Sequence, residues 1–194
     1  MRRSVTLPIL LWLTVGTSAQ TRLSKASVED AIALGKNCGN IPLVKISKPG
    51  GDFEVFIEDP FARIAIHAAA ARQIHQPFDA SKITTDIAIP DYRLWVQYTP
   101  DARRTVTVTH VRLQPTRGAG MRTVIRPTRE RPYQLTVGTH PAHGIITEVR
   151  WRNWEWMFDR LPTDDFDVIL ETSAGVQRYP VTSKDRSSVM KVCP

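Results

Sequence analysis

The chain has 194 residues, of which 42% are hydrophobic and 23% charged, and its formal net charge is +7. That length supports one domain with its own core, and this balance excludes an intrinsically disordered chain and an integral membrane protein. Fourteen prolines and ten glycines imply many turns, as an all-β or α+β domain needs.

The first twenty residues, MRRSVTLPILLWLTVGTSAQ, carry the pattern of an export signal. Arg2 and Arg3 form a positive start, and Leu7 to Val15 is apolar apart from Thr14. Thr17-Ser18-Ala19 places small residues where a signal peptidase cuts. The apolar run is much shorter than the ~20 residues that span a bilayer, so a cleaved leader is expected rather than an anchor. Residues 1–19 are then a Sec signal peptide, and 20–194 form a single exported domain, periplasmic or secreted, with no transmembrane segment.

The next pattern is a short helix. Ser27-x-x-Asp30 has the spacing of a capping box, and Val28 to Lys36 follows until Gly35 and Gly39 stop it. Ile41 to Ile46 reads as a strand, Lys48-Pro49-Gly50-Gly51-Asp52 as a turn, and Phe53 to Glu58 as an alternating strand. Asp59-Pro60 is a strong helix start, with aspartate as cap and proline at the first helical position. Phe61, Ile64, Ala65, Ala68 and Ala71 then fall on one face, and Gln76-Pro77 ends the helix. His67 and His75 on this segment are ~12 Å apart at helical rise, too far for one metal.

From residue 92 the pattern becomes strands: Tyr92–Thr99, Thr105–Leu113, Met121–Arg126, Tyr133–Val137, Gly144–Trp151, Trp154–Phe158, Phe166–Glu171 and Val176–Val181. The expected fold is α+β, with two N-terminal helices packed on a mainly antiparallel β-sandwich, immunoglobulin-like or related. The polar tail from Ser183 is expected to dock only through Cys193.

The two cysteines, Cys38 and Cys193, both fall in the exported part. An oxidising compartment favours their pairing. The rival reading, Cys38 as a nucleophile, needs a free thiolate and a positioned histidine.

Thr139-His140-Pro141-Ala142-His143-Gly144 is the sharpest chemical motif. Imidazoles bind zinc, so His140 and His143 are candidate metal ligands; a catalytic site also needs a third protein ligand, and none is adjacent in sequence. Proline and glycine make a surface turn the simpler reading.

Nine arginines lie between Arg93 and Arg131, against only Asp101 and Glu130. Their planar forks suit phosphate, sulfate and carboxylate. Arg112, Arg117, Arg122, Arg126, Arg129 and Arg131 are the candidate anion-binding residues. Acidic head groups, acidic glycans or another envelope protein are the partners expected, with no specific nucleic acid. In VRWRNWEWMF (Val149–Phe158), the tryptophans change parity at Asn153-Trp154, which predicts a bulge or bend there. Buried, they form the core; exposed, they form a stacking platform.

No nucleophile elbow, phosphate loop or calcium loop is present in the sequence, and no cofactor is implied. The functional expectation is an exported, non-catalytic binding or interaction module that engages an anionic partner through its arginine-rich face. The alternative is a metal-dependent periplasmic enzyme using His140 and His143.

Overall fold

A computed structural model describes residues 23–48, 52–85, 87, 89–98, 106–117, 123–142, 145–191 and 193, with the backbone alone over 132–142 and 145–151. Residues 1–19, read as a leader from the sequence, and Arg122 and His143 lie outside the described residues. The fold is α+β and its strand pairs are antiparallel.

Helix α1 (Lys25–Lys36) is capped by Ser24, whose side chain accepts from the Ser27 N–H, so the helix starts three residues before the expected cap. Gly35 does not stop it. A Cβ at Gly35 would lie 2.2 Å from the Ala65 carbonyl oxygen and 2.8 Å from Ala68 Cβ, so the residue is where α1 meets the second helix. Strands β1 (Asn40–Ser47) and β2 (Phe53–Glu58) follow. Helix α2 (Pro60–Gln73) begins at the Asp59 cap, whose carboxylate accepts from the Ala62 N–H at 2.7 Å. The two helices therefore do not form an N-terminal pair ahead of the strands: β1 and β2 stand between them, and supply the surface onto which α2 folds back.

Strands β3 (Tyr92–Tyr98), β4 (Val108–Pro115), β5 (Arg129–Ala142), β6 (Ile145–Phe158), β7 (Phe166–Thr172) and β8 (Gly175–Val181) complete most of the two sheets. A short helix α3 (Ser183–Arg186) and strand β9 (Val189–Lys191) organise the tail. The tail thus docks through more than its cysteine: β9 pairs with Asn40–Pro42 of β1. One sheet has the order β5-β6-β3-β2-β1-β9 and the other β4-β7-β8.

Alternation along the strands sorts the larger sheet into two faces. Val44, Ile46, Val55, Ile57, Leu94, Val96, Trp154, Trp156 and Phe158 share one core with Val111, Leu113, Val168, Leu170 and Tyr179 of the smaller sheet. Ile41, Leu43 and Phe56 point the other way, into a second core closed by Ala31, Ile32, Ile64, Ala65 and Ala68 of α1 and α2. Small alanines allow the helices to approach closely, and they cost little side-chain entropy to bury.

Strand β6 is continuous, and its register with β3 from Arg152 to Phe158 shows no shift. The expected bend at Asn153-Trp154 is absent. The shift lies instead in the partner strand, between Arg131 and Gln134 of β5, where Pro132 cannot donate to the ladder. Trp154 and Trp156 are buried, so they build core rather than a platform. Beyond Arg152, β6 pairs with β5 alone, and the two run on as a hairpin to Ala142 opposite Ile145.

Candidate functional site

The fold separates the described arginines of the arginine-rich segment. Arg112 sits on β4, on the strand face opposite the core residues Val111 and Leu113, and is half-buried. Its Nη1 is bonded to Glu171 Oε1 of β7. Across the rim of β4, the chain passes from the smaller sheet to the larger one. Ile125 exchanges both backbone hydrogen bonds with Leu113 at 2.9 Å, and four residues later Arg129 opens β5. This crossing brings Arg126 and Pro127 alongside His110, Arg112, Glu130 and Glu171, and together they line a groove of about 400 Å³.

His110 and Arg112 both face this groove because Val111 between them points into the core. A register shift between Val108 and His110 sets that phase. Arg126 is exposed and has no carboxylate partner among the described residues. The groove therefore has a compensated pair, Arg112 with Glu171, an open guanidinium at Arg126, and an open carboxylate at Glu130. An anion placed at Arg126 gains charge-assisted hydrogen bonds, and hydroxyls beside it find acceptors in the two glutamates.

The other expected anion ligands lie elsewhere. Arg117 is exposed just past the end of β4. Arg129 is exposed on the first residue of β5, and register places it in a row with Met157, Arg93, Glu58 and Leu43 across the larger sheet. Arg131 turns toward Glu155, Nη1 to Oε2 at 3.9 Å.

That row leads to an ion network beneath α2. Glu58 closes β2 with its side chain fully buried, and Arg63 of α2 lies over it, Nε to Oε1 at 3.5 Å. Arg93 bonds the same carboxylate oxygen and reaches Glu155 Oε1 at 3.8 Å. Arg63 also donates from Nη1 to the Ile89 carbonyl at 2.9 Å and from Nη2 to the Asp91 carbonyl at 2.6 Å. Burial lifts the Glu58 carboxyl above the ordinary carboxylate range, and the guanidiniums of Arg93 and Arg63 pull it back. Burial first, then the charges of Arg93 and Arg63, hold His67 below the usual histidine range. Glu58 Oε2, Arg63 Nε and Glu155 Oε2 are buried without a hydrogen-bond partner, so the network is held by its ion pairs and by the two Arg63 bonds to the backbone before β3, which tie α2 to the sheet.

His140 stands on β5 opposite Thr147, close to the end of the β5–β6 hairpin. Among the described residues no group of three or more histidine, cysteine or acidic side chains is placed to hold a metal ion. Cys38 and Cys193 lie at disulfide distance, S–S 2.11 Å, and Arg72 Nη1 donates to Cys38 Sγ. This ties the tail to the end of α1 and leaves no free cysteine among the described residues.

Sequence reasoning missed His110 as a groove residue, because only the paired register of β4 and β7 reveals its outward phase. It also missed the Glu58–Arg63–Arg93–Glu155 network. The available signal was an arginine, Arg63, inside an otherwise alanine- and isoleucine-rich helix face. No protein-family model, curated protein or solved structure matches this chain.

Proposed function

We propose that the chain is an exported, non-catalytic binding module that holds an anionic envelope component in the groove between β4 and the Ile125–Arg129 crossing. One observation carries this reading: His110 and Arg112 of β4, Arg126 of the crossing and Glu171 of β7 converge there, and Arg126 keeps an uncompensated charge. Glu130 and Glu171 favour a partner that presents hydroxyls next to its anion, which points to an acidic glycan over a bare phosphate surface. Arg117, Arg122 and Arg129, close in sequence, are candidates to extend the contact.

Export through the Sec route with cleavage after Ala19 belongs to the same proposal. The Cys38–Cys193 pair supports it, because such bonds persist in oxidising compartments. The shared core of the two sheets supports a β-sandwich of the immunoglobulin-like or related kind.

The test is calorimetric titration of the mature domain with a heparin hexasaccharide in about 0.15 M salt, where the Debye length is about 8 Å. A charge-assisted hydrogen bond contributes roughly 1.5–3 kcal/mol, so Arg126→Gln should weaken binding about tenfold or more. Equal affinity in wild type and variant contradicts the proposal.

A further inference from the structure

A second hollow lies at the far end of the helices, where the C-termini of α1 and α2 meet. It is a shallow, open hollow of about 510 Å³ lined by Lys36, Ala68, Arg72, His75, Gln76, Pro77 and Phe78. Its composition is one-sided. Lys36 closes α1, Arg72 is in the last turn of α2, and His75 follows that helix, while no acidic residue contributes to the lining. None of the three basic groups meets a carboxylate among the described residues. Beneath them, Ala68 and Phe78 are buried and present an apolar floor.

Basic residues at helix C-termini commonly offset the helix dipole, and that is the plain alternative. Two features argue for more. First, most of the terminal carbonyls are already engaged by backbone donors: Gly39 and Cys38 donate to Leu34 and Gly35 at the end of α1, and Gln76 and His75 donate to Ala71 and Arg72 at the end of α2. Second, His75 occupies the left-handed position of that second cap, with φ 55°. Glycine takes this conformation without the cost a Cβ imposes, so His75 gives up some backbone stability that glycine would keep. Cys38, at φ 54°, is the corresponding residue at the end of α1, and its disulfide accounts for it. His75 has no such bond; what it does is line the hollow.

We infer that this hollow binds a carboxylate borne on an apolar body, with the anion held by Lys36, Arg72 and His75 and the body resting on Ala68, Pro77 and Phe78. Arg72 spends one donor on Cys38 Sγ. The rest of its fork remains for the ligand, since a guanidinium carries five N–H donors. The site is separate from the β4 groove in residues and in place, and the inference does not depend on the glycan reading.

The test is NMR titration of the mature, oxidised domain with benzoate, and separately with inorganic phosphate. Saturable benzoate shifts centred on Lys36, Arg72, His75 and Phe78 are expected. Arg72→Gln and Lys36→Gln should each weaken them about tenfold, and Arg126→Gln should leave them unchanged. Lys36→Gln leaves the Arg72–Cys38 contact intact, so its loss of binding is not attributable to the disulfide. His75→Gly should raise the melting temperature yet weaken benzoate. Absence of saturable shifts, binding in Arg72→Gln and Lys36→Gln as tight as in the wild type, or phosphate binding as tightly as benzoate would overturn the inference.

Discussion

Glu58 and Arg63 face one another inside the protein, Oε1 to Nε at 3.5 Å, with side-chain exposures of 0% and 1%. They are five residues apart, on either side of the strand-to-helix junction at Asp59-Pro60. The sharp helix start carries Arg63 back over the strand it has just left, and the pair links α2 to the sheet.

Removing one member of this pair should cost far more than removing a surface ion pair. Arg63→Met leaves the buried Glu58 with Arg93 as its remaining partner and strips the Ile89 and Asp91 carbonyls of their side-chain donor. The expected loss is about 3–5 kcal/mol in urea denaturation. Arg178→Met, which breaks the more exposed contact to Asp167 at 3.4 Å, should cost less than about 1 kcal/mol.

Gly35→Ala should destabilise although it improves helix propensity. The new methyl would lie 2.2 Å from the Ala65 carbonyl oxygen, so α1 must move away from α2. Overpacking of this kind costs about 1–3 kcal/mol, against a propensity gain of at most about 1 kcal/mol. Thermal denaturation of the variant checks the sign.

Tyr179 gives the stability an alkaline limb. Burial, with a smaller contribution from the charge of Asp52, pushes its phenol from 10.0 up to about 12. The folded state holds this proton more tightly than the unfolded state. The contribution is therefore complete below pH 10.0 and is lost as pH climbs toward about 12. Tyr179→Phe should flatten the fall in urea midpoint across that window, although it forfeits the hydroxyl's 2.7 Å hydrogen bond to Gln177.

Reducing Cys38–Cys193 should release the tail first. The bond closes a loop with a sequence separation of 155 and holds β9 against Asn40–Pro42 of β1. On the loop-closure model the loss approaches about 5 kcal/mol. Hydrogen exchange should show the Val189–Lys191 amides losing protection before the β2 and β3 amides.

Local chemistry made some elements legible and concealed others. Asp59-Pro60 marked the start of α2, and the alternation in Phe53–Glu58 marked β2, because cap and pleat are properties of a few adjacent residues. Ser24 and Ser27 offer the same capping group, so only the structure distinguishes them. Gly35 resembled a helix stop because its reason for being glycine lies in Ala65 and Ala68, some thirty residues away. Strand β9 has three residues and exists by pairing with β1, which no periodicity in the tail announces.

The same division applies to the candidate site. Arginine type and density were plain in the sequence, and they named Arg112 and Arg126. The fold decides which arginines meet. Arg131 is drawn to Glu155 and Arg93 to Glu58, while the crossing at Ile125 brings Arg126 to Arg112. Such pairings arise from register between distant strands, which composition does not encode.

The measurement that tests the central claim most directly is amide shift mapping of residues 20–194 with a heparin hexasaccharide. The account predicts saturable shifts concentrated on His110–Arg112 and Arg126–Glu130, and their loss in Arg126→Gln. Shifts centred elsewhere, or a pattern unchanged by Arg126→Gln, would contradict it.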